Sequence, residues 1–237
     1  LLRSLLGQPP REWDEPLRRT ADELNTFIRL CGQRSGGNDS SSMRYRTYAV
    51  WAQGLYRSLN ELEESLFAAR LYGTRIRAAR WDDMEREEKL DYDRHVYFDK
   101  NAYIRMFSLL DKLGTLVNAL LELQTEKIKV YFSFYTVLRQ MRETGKHREL
   151  TEQLVSLKER HREAMKRLRN RRNMEVHYMN AELEDDLMER LLAGAGDGGR
   201  LENLSGNLAD AEEGWIMVRD TLGRTFGYLN GQLRGLS

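Results

Sequence analysis

The stretch "ELTEQLVSLKERHREAMKRLRNRRNMEVHYMNAELEDDLMER", residues 149–190, carries its apolar side chains at helical intervals. With Arg172 at zero on a wheel of about 100° per residue, Leu154, Leu157, Met165, Leu168, Val176, Met179, Leu183 and Leu187 fall within about 60° of one line. The spacing predicts a helix over 149–192 with one core-facing stripe. Near its centre only His161 and Arg172 interrupt it. An arginine in such a place must be paired or border a wet cleft, because burying its charge alone is costly. Asn173, His177 and Asn180 lie beside the stripe and line its edge with hydrogen-bonding groups and an imidazole.

The rest of the chain reads the same way. All three prolines, Pro9, Pro10 and Pro16, fall in the first 16 residues. A β-rich chain would spend proline in its turns and alternate its strands. Apolar residues recur every three to four positions instead, which places helices at 10–30, 43–79, 82–96, 100–125, 127–143, 149–192 and 207–234. "CGQRSGGNDSSS" (31–42), "ETGKH" (143–147) and "AGAGDGG" (193–199) punctuate them. Short connections imply antiparallel neighbours. The expectation is an all-α, antiparallel helical bundle of about six to seven helices. It forms one domain over 1–237, with a helical extension over about 1–80 and a core over about 81–237.

Composition narrows the function. Net charge is +1, so any electrostatic role must come from local clustering. A lone cysteine, Cys31, cannot form an internal disulfide, which fits a reducing compartment. No apolar run approaches the roughly 18 residues that span a bilayer, and the start lacks a signal-peptide layout. A soluble, cytoplasmic protein without a membrane partner is expected. No CxxC, HxxxH or paired ExxH pattern appears, so neither a metal nor a cofactor is expected.

Charge on the 149–192 helix runs against its macrodipole. Six Lys/Arg occupy 162–172, and "ELEDDLMER" (182–190) is mostly acidic. A basic patch for a phosphate-bearing partner, with Arg169 and Arg171 as substrate-binding candidates, would account for that order. The helix at 100–125 has a matching oddity. Ile104, Phe107, Asp111, Gly114, Asn118 and Leu121 share one stripe; Gly114 would let another helix approach, and Asp111 and Asn118 would supply a polar site.

"RNMEVH" (172–177) resembles the R-x4-6-H signature of the HEPN superfamily, α-helical domains many of which are ribonucleases. "RMFSLLDKLGTLVN" (105–118) is similar to the polar helix that precedes it in some bacterial members. The resemblance implies a metal-independent endoribonuclease, active as a homodimer whose two motifs meet in one cleft, with Arg172, Asn173 and His177 as catalytic residues and Asp111 and Asn118 in support. RNA or a nucleotide is the implied partner, in a stress or phage-defence setting with a possible antitoxin or regulatory partner. The alternative is a catalytically silent helical module that binds nucleotide, RNA or protein. The toxin subgroup paired with nucleotidyltransferases carries Tyr two residues after the histidine; here that position is Met179, with Tyr178 adjacent.

Each candidate also has a structural reading. Arg172 and His177 could form a polar cluster paired with acids such as Asp111, and Asp111 and Asn118 could mark a solvated helix edge. His161 reads as a core or boundary histidine, His95 as a surface histidine among charges, and "VYFSFYTVL" (130–138) as core packing. A second R-x4-H, Arg142 to His147, straddles a Thr-Gly helix stop and reads as a chance match.

Overall fold

The computed structural model describes residues 2–177 and 203–235. Eight α-helices occur among them: α1 (Leu2–Leu5), α2 (Glu15–Gln33), α3 (Ser40–Gly73), α4 (Arg86–Leu120), α5 (Phe134–Thr144), α6 (Arg148–Arg160), α7 (Arg162–His177) and α8 (Leu204–Gly235). No strand occurs among the described residues. Asp14 caps α2 by accepting from Leu17 N at 2.7 Å, with a proline in the first turn, and Asp39 caps α3 by accepting from Ser42 N at 2.8 Å. The all-α bundle expected from the sequence is the observed fold.

Helices α3 and α4, 34 and 35 residues long, form the central antiparallel pair. Side-chain bonds from Lys112 to Ser58, Ser65 to Asn101 and His95 to Ala69 fix their register. The expected break between 96 and 100 does not occur, because "YFDKNAY" (97–103) holds neither Gly nor Pro and buries Asp99, Ala102 and Tyr103 in sequence. Not every neighbour is antiparallel. Thr20 donates to Arg219 O, Asn230 to Glu23 O and Arg34 to Leu233 O, so α2 and α8 run in the same direction. Phe27 of α2 meets Phe226 of α8 edge-to-face at 5.1 Å between ring centroids. Both are fully buried with Leu24, Leu59, Leu109 and Leu113.

Two further expectations are corrected. The helix placed at 127–143 begins at Phe134. Residues 128–133 are an irregular segment in which Val130 and Tyr131 are 75% and 87% exposed, so only the second half of the aromatic run is core. The helix placed at 149–192 breaks at His161, whose φ of −105° and ψ of 20° end α6 and start α7. Its imidazole is buried with Nδ1 3.2 Å from Glu213 Oε2, which fits a boundary histidine. Residues beyond 177 in that stretch, with Tyr178, Met179, Asn180, Leu183, Leu187 and "AGAGDGG", lie outside the described residues.

Gly114 does what its place in the stripe implies. A Cβ there would stand 2.9 Å from Phe134 Cα, so the start of α5 packs onto the bare backbone of α4. Gly114→Ala meets backbone that cannot rotate away. It should destabilise the fold by about 1–3 kcal/mol even though alanine is the better helix former by about 1 kcal/mol. A denaturant midpoint unchanged or raised in this variant would contradict the close approach.

Candidate functional site

Helix α7 is set down by its first half. Ala164, Met165 and Leu168 are buried, and Gly214 of α8 leaves room for Leu168 and Met106, which a Cβ would meet at 2.7 and 2.8 Å. After Leu168 the apolar stripe ends. Arg172 is half-buried, as its place in the stripe implies, but Val176, expected in the core, is 53% exposed and Met174 44%. The second half of the helix therefore rests on polar contacts.

Those contacts divide the arginines into two sets. Arg167 grips Asp210 of α8 with two bonds, at 2.8 and 2.6 Å. Arg171 donates to Asp99 of α4, a carboxylate 2% exposed, and lies over the Tyr103 ring at 4.8 Å. This corrects the reading of Arg171 as substrate-binding: it faces inward to neutralise a buried acid. Arg169 and Arg172, one turn apart, have no carboxylate within ion-pair distance among the described residues. Arg169 is exposed with its guanidinium 4.5 Å from the Tyr135 ring centroid. Arg172 lies over Phe107 at 5.1 Å, with Nε buried and without a hydrogen-bond partner.

Asp111 sits between these cations and α5. Its Oδ1 accepts from Phe134 N at 3.0 Å, the first residue of that helix, where a carboxylate complements the helix dipole. Burial pushes its pKa up, against the opposing pull of the Phe134 bond and of the Arg172 and Arg169 charges. Burial likewise raises the Tyr135 phenol. Arg169 offsets this, yet the hydroxyl is buried without a hydrogen bond of good geometry. Asn118, two turns along α4, is occupied elsewhere. It accepts from Thr125 N at 2.9 Å and donates to Glu126 at 2.8 Å, which clamps the turn after α4. The structure thus gathers Arg169, Arg172 and Asp111 and leaves Asn118 and Arg171 to structural work.

Asn173 is half-buried, and His177 is the last described residue of α7. Five residues of helix place His177 about 7.5 Å along the axis from Arg172 and about 140° around it. The second R-x4-H does not share a helix. Gly145, at φ 64°, separates exposed Arg142 in α5 from His147, whose Nδ1 lies 2.9 Å from Tyr228 Oη. Burial and Lys146 lower the His147 pKa.

Sequence reading missed Asp99, Tyr103, Phe107 and Tyr135 as neighbours of the motif. A signal existed: Asp91, His95, Asp99 and Tyr103 recur every fourth position, and all four are buried. Splitting α4 at residue 97 hid that ladder. His95 is accordingly corrected from surface to core; it is 1% exposed. Among the described residues no group of three His, Cys, Asp or Glu side chains is gathered as metal ligands would be, and no helix is long and apolar enough to cross a membrane.

Residues 51–230 match the family model described as Cthe2314-like HEPN. Among curated proteins and solved structures, none matches the chain.

The division of the arginines is measurable. Arg171→Ala strands the buried Asp99 carboxylate and should cost about 3–5 kcal/mol, whereas Arg169→Ala, on an exposed face, should stay within about 0.5 kcal/mol. Equal losses in urea melts would refute it. The Asp111 carboxyl has a folded-state pKa above its unfolded one, so folding favours the protonated form. That penalty is present at neutral pH, begins to shrink as pH falls through the folded value and is gone below the unfolded one. Asp111→Asn should therefore be more stable than wild type at pH 7, with the gap closing as pH approaches the ordinary carboxylate value of 3.8. A gap that widens toward acid would have the wrong sign.

Proposed function

The chain belongs to the Cthe2314-like HEPN family, and from that premise we propose that it is a metal-independent endoribonuclease. The observation that carries the proposal is Arg172: half-buried, over an aromatic face, with no carboxylate partner among the described residues, at the head of the helical "RNMEVH" segment. A guanidinium left open in a low-dielectric setting suits a phosphodiester, whose two non-bridging oxygens match its fork. Arg169, one turn earlier, adds a second cation.

In this reading the ribose 2′-oxygen attacks the adjacent phosphorus, and the bond from phosphorus to the 5′-oxygen breaks. His177 removes the 2′-hydroxyl proton or supplies one to the leaving 5′-oxygen, as imidazole can near neutral pH. Arg172 holds the phosphoryl oxygens as charge builds on them. Products are a 2′,3′-cyclic phosphate and a 5′-hydroxyl. Two copies facing one cleft supply one histidine as base and one as acid. The exposure of Met174 and Val176 beside the motif supports a second copy there.

Wild-type protein should cleave RNA in EDTA and leave cyclic phosphate ends, and light scattering should give about twice 27.8 kDa. His177→Ala and Arg172→Ala should each lose at least about a hundredfold in rate while melting cooperatively; Arg142→Ala and His147→Ala should not lose activity. Cleavage that EDTA abolishes and magnesium restores would sink the mechanism. RNA binding without cleavage would favour the silent-module reading.

A further inference from the structure

At the far end of α4 from Asp111, about 24 Å along the helix axis, a cavity of about 480 Å3 opens between the end of α3, α4 and the start of α8. Its size falls within the roughly 300–1,000 Å3 of small-molecule sites. In a chain with 37 acidic residues, none of the described residues lining this cavity is acidic. They include Arg70, Thr74, His95, Asn203 and Ser205.

His95 is the informative one. Its Nδ1 lies 2.7 Å from Ala69 O, and a carbonyl only accepts, so Nδ1 carries the proton and Nε2 is left as the acceptor. Although the residue is 1% exposed, Nε2 makes no hydrogen bond among the described residues and is not among the polar atoms sealed in the core. His95 lines the cavity, which is the opening available to that atom. Gly73 makes room for the ring, since a Cβ there would stand 2.9 Å from Nδ1.

Opposite lies the first turn of α8, 32 residues long. Asn203 Oδ1 accepts from Gly206 N at 3.0 Å, and Gly206 permits this cap, because a Cβ there would meet the Asn203 side chain at 2.5 Å. The N–H groups of Leu204 and Ser205 have no acceptor within the helix and stand at its positive end. Arg70 also lines the cavity and forms an ion pair with Glu212, its Nε 2.7 Å from Oε1. Donors and positive potential thus face an imidazole acceptor across one cavity, with Ile76, Ala78 and Leu208 as apolar wall.

We propose that this cavity binds the phosphate ester of a small hydroxylated molecule, with the phosphoryl group on the α8 N-terminus and Arg70 and a ligand hydroxyl donating to His95 Nε2. The site is separate from the nuclease reading of α7. The test is isothermal titration of the full chain with AMP, ribose 5-phosphate and inorganic phosphate. At least one ester should bind once per chain, and tighter than inorganic phosphate. Ser205→Glu places a carboxylate where the α8 dipole welcomes it, so the fold should persist in a thermal melt, yet ester affinity should fall at least tenfold. Arg70→Gln should act in the same direction, and Arg172→Gln should leave affinity unchanged. No binding of either ester at millimolar concentration, or inorganic phosphate binding at least as tightly as both esters, would overturn the assignment. So would loss of binding in Arg172→Gln with retention in Ser205→Glu.

Discussion

Asp99 and Arg171 meet inside the protein, and the candidate site hangs from that contact. The carboxylate is 2% exposed, so its charge is tolerated only because a guanidinium reaches it. That requirement fixes the rotation of α7 about its own axis at a point where the helix has no apolar stripe left to do so. With Arg171 turned inward, the next residue, Arg172, falls at the boundary over Phe107, and Arg169 falls on the open side beside Tyr135. One ordered cation thereby leaves two others without a carboxylate partner among the described residues. The pairing is not fully satisfied, since Asp99 Oδ1 and Arg171 Nη1 are both buried without partners. Such a seam costs stability, and it lies beside the two arginines on which the proposed phosphate contact rests.

What the sequence disclosed, and what it withheld, follows from the range of the interactions. Helix periodicity is local, so the all-α class, the Gly145 stop and the core positions Leu154, Leu157, Met165 and Leu168 could all be read. The break at His161 could not, because apolar spacing continues across it from Leu157 to Met165 without a change of phase. The partners of the arginines were equally hidden. Asp99 lies 72 residues from Arg171 and Asp210 lies 43 from Arg167. A run such as "RLRNRRN" (167–173) shows a basic patch and says nothing about which of its members are already neutralised.

Asn118 and Asp111 show the same limit from the other side. A heptad apart on one helix face, they look like a matched pair. Asp111 reaches the first N–H of α5 and feels both Arg169 and Arg172, whereas Asn118 is consumed by the tight turn that follows α4. That turn forces Glu122 and Gln124 to positive φ, a conformation L-residues adopt reluctantly, and the amide that stabilises it is not available for anything else. The polar ladder Asp91–His95–Asp99–Tyr103 was legible in principle and needed only an unbroken α4 to be seen.

The parallel packing of α2 against α8 has a consequence for how the chain comes into being. Phe27 is synthesised 199 residues before its edge-to-face partner, Phe226. At ribosomal speeds of about 5–20 residues per second, the apolar face of α2 waits on the order of 10–40 s before its cover exists. The long α3–α4 hairpin can assemble in that interval, since its partners are near in sequence. That face of α2 cannot be covered until α8 has been made, so during synthesis the intervening helices must fold with one side of the core still open.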